Sequence, residues 1–200
     1  MSVICSRHSS VVTFMLPHRI TPDLELRLLE KSDAATLFAA VDAHRSYLRE
    51  WLHWVDGMVA IKHADKFIAT ALNDYATTQA YSCGIWSAGK FVGVIGHNRI
   101  DWKNKMANPG WWLVPDAQGK GIMTLCCKAV FQHAFTQLQL DRICVGVATE
   151  NLRGQAMVKR LGFAQVSTLR NAEKLRGRRV DHFIYALNSP RAGAAASAGF

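Results

Sequence analysis

Trp111-Trp112-Leu113-Val114-Pro115-Asp116-Ala117-Gln118-Gly119-Lys120-Gly121-Ile122-Met123-Thr124 reads as a buried strand that stops at a proline, passes two closely spaced glycines and enters a helix. Glycine tolerates positive φ and lets the backbone approach a ligand closely. The first-turn amides of Ile122 and Met123 have no carbonyl partner inside their own helix and sit at the positive end of its dipole. Such a turn suits an anion, a pyrophosphate above all, so the stretch predicts a phosphate cradle.

Working outward, alternating apolar residues from Leu24 to Leu29 predict a strand, and Ser32-Asp33 offers an N-cap before Leu37, Phe38 and Val41. A new helical start falls near Ser46, and a further helix spans roughly Ala64 to Thr77. Ala80 to Ser87 and Phe91 to Ile100 predict a hairpin turning at Ala88-Gly89-Lys90. After the cradle, Ile122 to Leu138 predicts a long helix with Leu125, Val130, Phe131, Ala134 and Leu138 on its apolar side. Arg142 to Ala148 predicts a strand, Asn151 to Leu161 a helix, and Phe163 to Leu169 and Val180 to Tyr185 two closing strands. The order β-α-α-α-β-β-β-α-β-α-β-β predicts an α+β fold: a mixed, mostly antiparallel sheet of about seven strands, with one parallel crossover around the cradle helix.

Two hundred residues, half of them hydrophobic, supply one packed domain. Its predicted bounds are 23–187, with 1–22 as an extension or an over-long start and 188–200 as a disordered Ala/Gly/Ser tail. No apolar run approaches the ~18 residues of a membrane span, so a soluble, cytoplasmic protein is expected. Five cysteines, odd in number and without paired CxxC spacing, fit reduced thiols and no metal site. The net charge of +9 is concentrated at one end: from Arg142 onward ten Lys and Arg face three acids. That field attracts polyanions, whether a phosphate-bearing cofactor, an acidic protein or RNA.

Gln118-Gly119-Lys120-Gly121-Ile122-Met123 resembles the Q/R-x-x-G-x-G/A loop of the GNAT superfamily of acetyl-CoA-dependent N-acetyltransferases. A second match, Glu150-Asn151-Leu152-Arg153-Gly154-Gln155-Ala156-Met157-Val158-Lys159-Arg160-Leu161-Gly162-Phe163, is similar to that family's E-N-x-x-S-x-x-V-x-x-K/R-x-G-F helix. The ending around Leu169 to Glu173 and Gly177 to His182 resembles the ribosomal-protein-serine (RimL-like) branch. Walker A, three-glycine dinucleotide and H-E-x-x-H motifs are absent from the sequence.

The resemblance implies that acetyl-CoA lays its pyrophosphate on the amides of Gly119, Lys120, Gly121, Ile122 and Met123, with Gln118 also among the cofactor-binding residues. Its pantetheine arm would enter between splayed strands, and an N–H of Leu113 or Val114 would polarise the thioester carbonyl. Asn151 would cap its helix and touch the cofactor arm, and Arg153 and Lys120 would add cations. Trp51 and Trp54 correspond to the acceptor wall. The acceptor would be a primary amine, the N-terminus of a ribosomal protein or a small amine or antibiotic, and relatives of this branch often form homodimers.

Direct transfer needs a base for the ammonium and a donor for the thiolate. The family's serine, glutamate and strand acid are replaced here by Gly154, Val166 and Asn108. The remaining candidates are His97, Asp101, Glu150 and Glu173, with His97 and Glu150 carried as catalytic. The same three replacements raise an alternative, a catalytically weakened acetyl-CoA-binding regulatory protein. The basic C-terminal third raises a third reading, an RNA-associated module.

Overall fold

The computed structural model describes residues 16–191. Eight strands form one sheet in the order β1-β2-β3-β4-β5-β6-β8-β7. In chain order they are β1 (His18–Thr21), β2 (Leu24–Leu28), β3 (Tyr81–Ser87), β4 (Lys90–Asp101), β5 (Met106–Leu113), β6 (Arg142–Ala148), β7 (Ala164–Leu175) and β8 (Arg178–Asn188). The helices are α1 (Ala34–Ala43), α2 (Arg45–Leu48), α3 (Ile61–Ala76), α4 (Ile122–Thr136) and α5 (Leu152–Arg160).

The GNAT-like α+β expectation holds, and every neighbouring pair is antiparallel except β5 and β6. The two-residue turn between β3 and β4 places both Ala88 and Gly89 at positive φ, the geometry that matches strand twist in a tight hairpin.

Three expectations need correction. Part of the expected extension is domain: His18–Thr21 pairs with β2 as the first strand, too short before Pro22 to show a period. Residues 1–15 lie outside the described residues. At the other end, Asn188 pairs with Arg142, the Ser189 amide donates to Asp141 O at 2.9 Å, and Arg191 Nη2 donates to Phe135 O at 3.1 Å. The chain is therefore anchored beyond 187, and only residues 192–200 of the expected tail lie outside the described part. Finally, Leu125 of α4 is exposed. The buried face runs instead through Met123, Cys126, Cys127, Val130, Phe131, Ala134 and Phe135, a spacing of three and four that turns Leu125 outward.

The main core joins α1, α3 and α4 to the sheet, with Leu26, Leu37, Val41, Ile68, Ile85, Ile95 and Ile143 almost fully buried. A smaller cluster, Ala148, Leu175 and Val180, lies where β6, β7 and β8 meet and is covered by Trp51. Cys83, Cys126, Cys127 and Cys144 are free thiols, and burial pushes Cys126 up to about 12 and Cys83 higher still. They are packing groups.

Candidate active site

β5 and β6 pair only at Met106 with Arg142 and Ala107 with Ile143, then diverge. The cause can be read from β5. Backbone groups alternate sides along a strand, and the Val114 amide, just past β5, donates to Val92 O of β4 at 2.9 Å. Even-numbered residues of β5 therefore point their amides at β4, and odd-numbered ones point at β6. The next rung toward β6 falls on Pro109, which has no N–H. In its place the side chain of Asn108 donates to Cys144 O at 3.0 Å. Beyond Pro109, the amides of Trp111 and Leu113 face an open notch.

The notch leads to the glycine turn. Pro115–Ala117 forms a short 3-10 turn, Gly119 has φ +72°, and Gly121, the N-cap of α4, has φ +76°. A Cβ built on either glycine would meet nothing within 4 Å. No side chain caps α4, and Leu125 N donating to Gly121 O at 3.1 Å begins its ladder, so the amides of Ile122, Met123 and Thr124 lie ahead of it. The result is an uncovered nest of main-chain donors with exposed Lys120 at its rim.

Aromatic and polar side chains gather around the parted strands. Trp111 and Trp112, consecutive on β5, face opposite sides of the sheet: Trp111 packs on Phe131 of α4, and Trp112 lies 6.1 Å from Trp54 and 5.9 Å from Phe91. Trp51 sits on Ala148, Leu175 and Val180. Beside these tryptophans, His53 Nδ1 contacts Glu173 Oε1, and His182 Nε2 lies 3.2 Å from Glu173 Oε2. The His182 ring reaches β6 at Gly146, where an added Cβ would stand 2.9 Å from Nδ1.

A family model, acetyltransferase (GNAT) domain, matches residues 23–164. This chain belongs to the GNAT acetyltransferases. YdaF of Bacillus subtilis strain 168 is 27% identical over 177 residues, 86% of this chain and 95% of that protein. The ribosomal-protein-serine acetyltransferase of Escherichia coli K12 is 24% identical over 168 residues, 84% of this chain and 94% of that protein. Among solved structures, RimL, described as a ribosomal L7/L12 alpha-N-protein acetyltransferase in complex with coenzyme A, superposes with a TM-score of 0.83 at 24% identity, covering 86% of this chain and 97% of that one. The microcin C7 self-immunity acetyltransferase MccE, in complex with acetyl-CoA and AMP, gives 0.83 at 24% identity over 88% and 99%.

Within this GNAT domain the expected residues fall into three groups. Gly119, Lys120, Gly121, Ile122 and Met123 form the donor nest, and Leu113 points its amide into the notch, whereas Val114 spends its amide on β4. Gln118 directs its side chain away from the nest: Nε2 donates to Tyr47 Oη at 2.7 Å and Leu113 O at 3.2 Å, tying turn, notch and α2 together. Tyr47 escaped the sequence reading because a tyrosine on a short helix carries no motif. Asn151 caps α5 by accepting from Gly154 N at 2.9 Å, and Arg153 is exposed on the first turn.

The two residues expected to move protons are otherwise engaged. His97 is fully buried on β4, edge-on to Tyr81 at 5.0 Å, in the layer that holds His133 near the far end of α4. Burial, assisted by His133, holds it down to about 3, so it stays neutral and out of reach of an acceptor. Glu150 is exposed and forked onto Arg178 at 2.7 and 2.5 Å, and those hydrogen bonds hold its carboxyl below the usual range. Asp101 is likewise held down, by Asn104. Among the described residues, no group of His, Cys, Asp and Glu could hold a metal ion.

Proposed function

We propose that this chain transfers the acetyl group of acetyl-CoA directly to a primary amine, the N-terminal amine of a ribosomal protein. One observation carries the reading: an uncovered nest of amides at Gly119 to Met123 opens onto a notch that presents the Leu113 N–H. The residues fit the co-substrate. Two positive-φ glycines leave room for a pyrophosphate, the helix dipole favours it, and Lys120 and Arg153 supply charge. The bound coenzyme supplies the activated acyl group.

The pantetheine arm fits beside the unpaired edge of β5, and the Leu113 amide stabilises the charge that develops on the thioester oxygen. Asn151 stays with its helix while its amide nitrogen is left for the arm. Trp51 and Trp54 stay partly exposed, and their apolar faces suit an extended peptide end. Support for a protein acceptor comes from relatives: the Escherichia coli protein is named for ribosomal-protein serine, and a solved neighbour from Salmonella typhimurium is described as modifying the N-terminal serine of L7/L12. A homodimer belongs to the same reading, since β7 is a sheet edge with Val166 and Leu169 exposed.

The test is thiol release from acetyl-CoA with a panel of peptides differing at their first residue, alongside small amines. Turnover with free α-amines, abolished by N-terminal blocking, is expected. Folded protein that binds acetyl-CoA and turns over only small amines overturns the protein acceptor.

A further inference from the structure

The three positions at which relatives handle protons are empty here, His97 is buried and Glu150 is taken up by Arg178. We infer that His53 is the group that takes the acceptor's proton, with Glu173 and His182 as its positioning partners. The inference rests on the acetyl-transfer reading and names the base of that same site.

Three observations carry it. His53 lies in the short 3-10 turn His53–Gly57, between Trp51 and Trp54, so its backbone is part of the acceptor wall. Its side chain is 64% exposed, whereas Glu173 and His182 are only 23% and 17% exposed. The imidazole is thus the member of the cluster open to an incoming amine. Second, the contact to Glu173 runs through Nδ1. A carboxylate can only accept a hydrogen bond, so Nδ1 carries the hydrogen and the Nε2 lone pair is left free on the other edge of the ring.

Third, the cluster is fixed against the notch. His182 pairs across the sheet with Ala148 of β6, its ring lies over Gly146, and both are in the part of β6 that has parted from β5. His182 Nε2 lies 3.2 Å from the second oxygen of Glu173, a close polar contact without hydrogen-bond geometry. A register shift in β7 between Leu169 and Glu173 turns that carboxylate inward beside Leu175. Glu173 thus lies between the two imidazoles, and its hydrogen bond with Nδ1 sets the tautomer and orientation of His53, as a carboxylate does for a catalytic imidazole in general.

The step balances as follows. The amine nitrogen forms its bond to the thioester carbon, and the proton it sheds passes to Nε2 of His53. The C–S bond breaks with its electron pair on sulfur, the thiolate is protonated from solvent, and the imidazolium returns its proton to solvent.

The experiment measures kcat and KM for wild type, His53→Ala, His53→Gln and Glu173→Gln, with acetyl-CoA affinity by calorimetry as the check on folding. Loss of a positioned base is expected to lower kcat about a hundredfold or more in both His53 variants, with the KM for acetyl-CoA unchanged. Added imidazole should restore part of the rate in His53→Ala and none in His53→Gln, a rescue that a purely structural role would not give. Glu173→Gln should lower kcat while imidazole does nothing. Wild-type kcat in His53→Ala overturns the assignment, and if Glu173→Gln alone is inactive, the carboxylate takes the proton itself. Wild-type protein that binds acetyl-CoA and acetylates no amine sinks the transfer reading, a different failure visible before any variant is made.

Discussion

On one side of the parted strands the groups proposed to face ligand are main-chain amides drawn from one continuous stretch, Leu113 and then Gly119 to Met123. On the other they are side chains of His53, Glu173 and His182, brought together from a turn after α2 and from two late strands. The difference teaches what each half tolerates. A nest of amides is indifferent to the side chains it carries so long as nothing fills it, whereas a side-chain cluster fails when any one member changes.

The strongest way to break this comparison is to fill the nest. Gly121→Glu places a carboxylate over the amides at a residue whose φ of +76° already disfavours a side chain. Calorimetry should show acetyl-CoA affinity lowered by about a thousandfold, since like charges brought together cost several kcal/mol. Unchanged affinity would mean that the amides are not the binding groups.

Acid titration tests whether His97 belongs to packing or to chemistry. Burial holds His97 down to about 3 and His133 to about 4 in the folded chain, below the ordinary imidazole value. As pH falls below about 6.5 the unfolded chain takes up protons that the folded one does not. Stability should therefore be complete above that pH and lost on going down toward 4, by about 1.4 kcal/mol per pH unit for the fully buried His97 and by less for the half-buried His133, where solvent screens the effect. Urea midpoints measured from pH 7 to 4 check the slope. His97→Leu should flatten it and leave kcat at neutral pH unchanged; a fall in kcat with retained stability would return His97 to the mechanism.

Smaller effects sharpen the division. Gln118→Ala removes the ties to Tyr47 and Leu113 O, worth about 1 kcal/mol together, and should raise the KM for acetyl-CoA about fivefold with kcat nearly constant. Lys120→Ala, at an exposed rim position, should cost about two- to threefold in affinity at low salt and nothing at high salt.

The same contrast explains what the sequence disclosed. Local geometry is written locally: Pro115, Gly119 and Gly121 announce the turn, Asn151 announces its cap, and the β3–β4 hairpin follows from spacing. The mixed sheet with one parallel crossover was legible from the element order, and the splay only through the family resemblance. Glu173 was a candidate, but its contact with His53 was not legible, because the two are 120 positions apart and meet only through the packing of a turn on a late strand. His97 misled because a histidine's burial is a property of the packed sheet. A lone imidazole in a strand reads the same whether it ends in solvent or beneath α4. Leu125 misled for a related reason, since a helix with apolar residues on most sides shows no single stripe.

Pro109 extends the consequences beyond catalysis. Because the missing rung is a matter of covalent structure, the slot between β5 and β6 needs no conformational work to open and stands ready before any substrate arrives. Trp111 and Leu113 should therefore exchange their amide hydrogens quickly in the empty protein, even in the middle of its sheet, and slow sharply once acetyl-CoA slides alongside. A single imino acid would then be the hinge pin of a permanently open door.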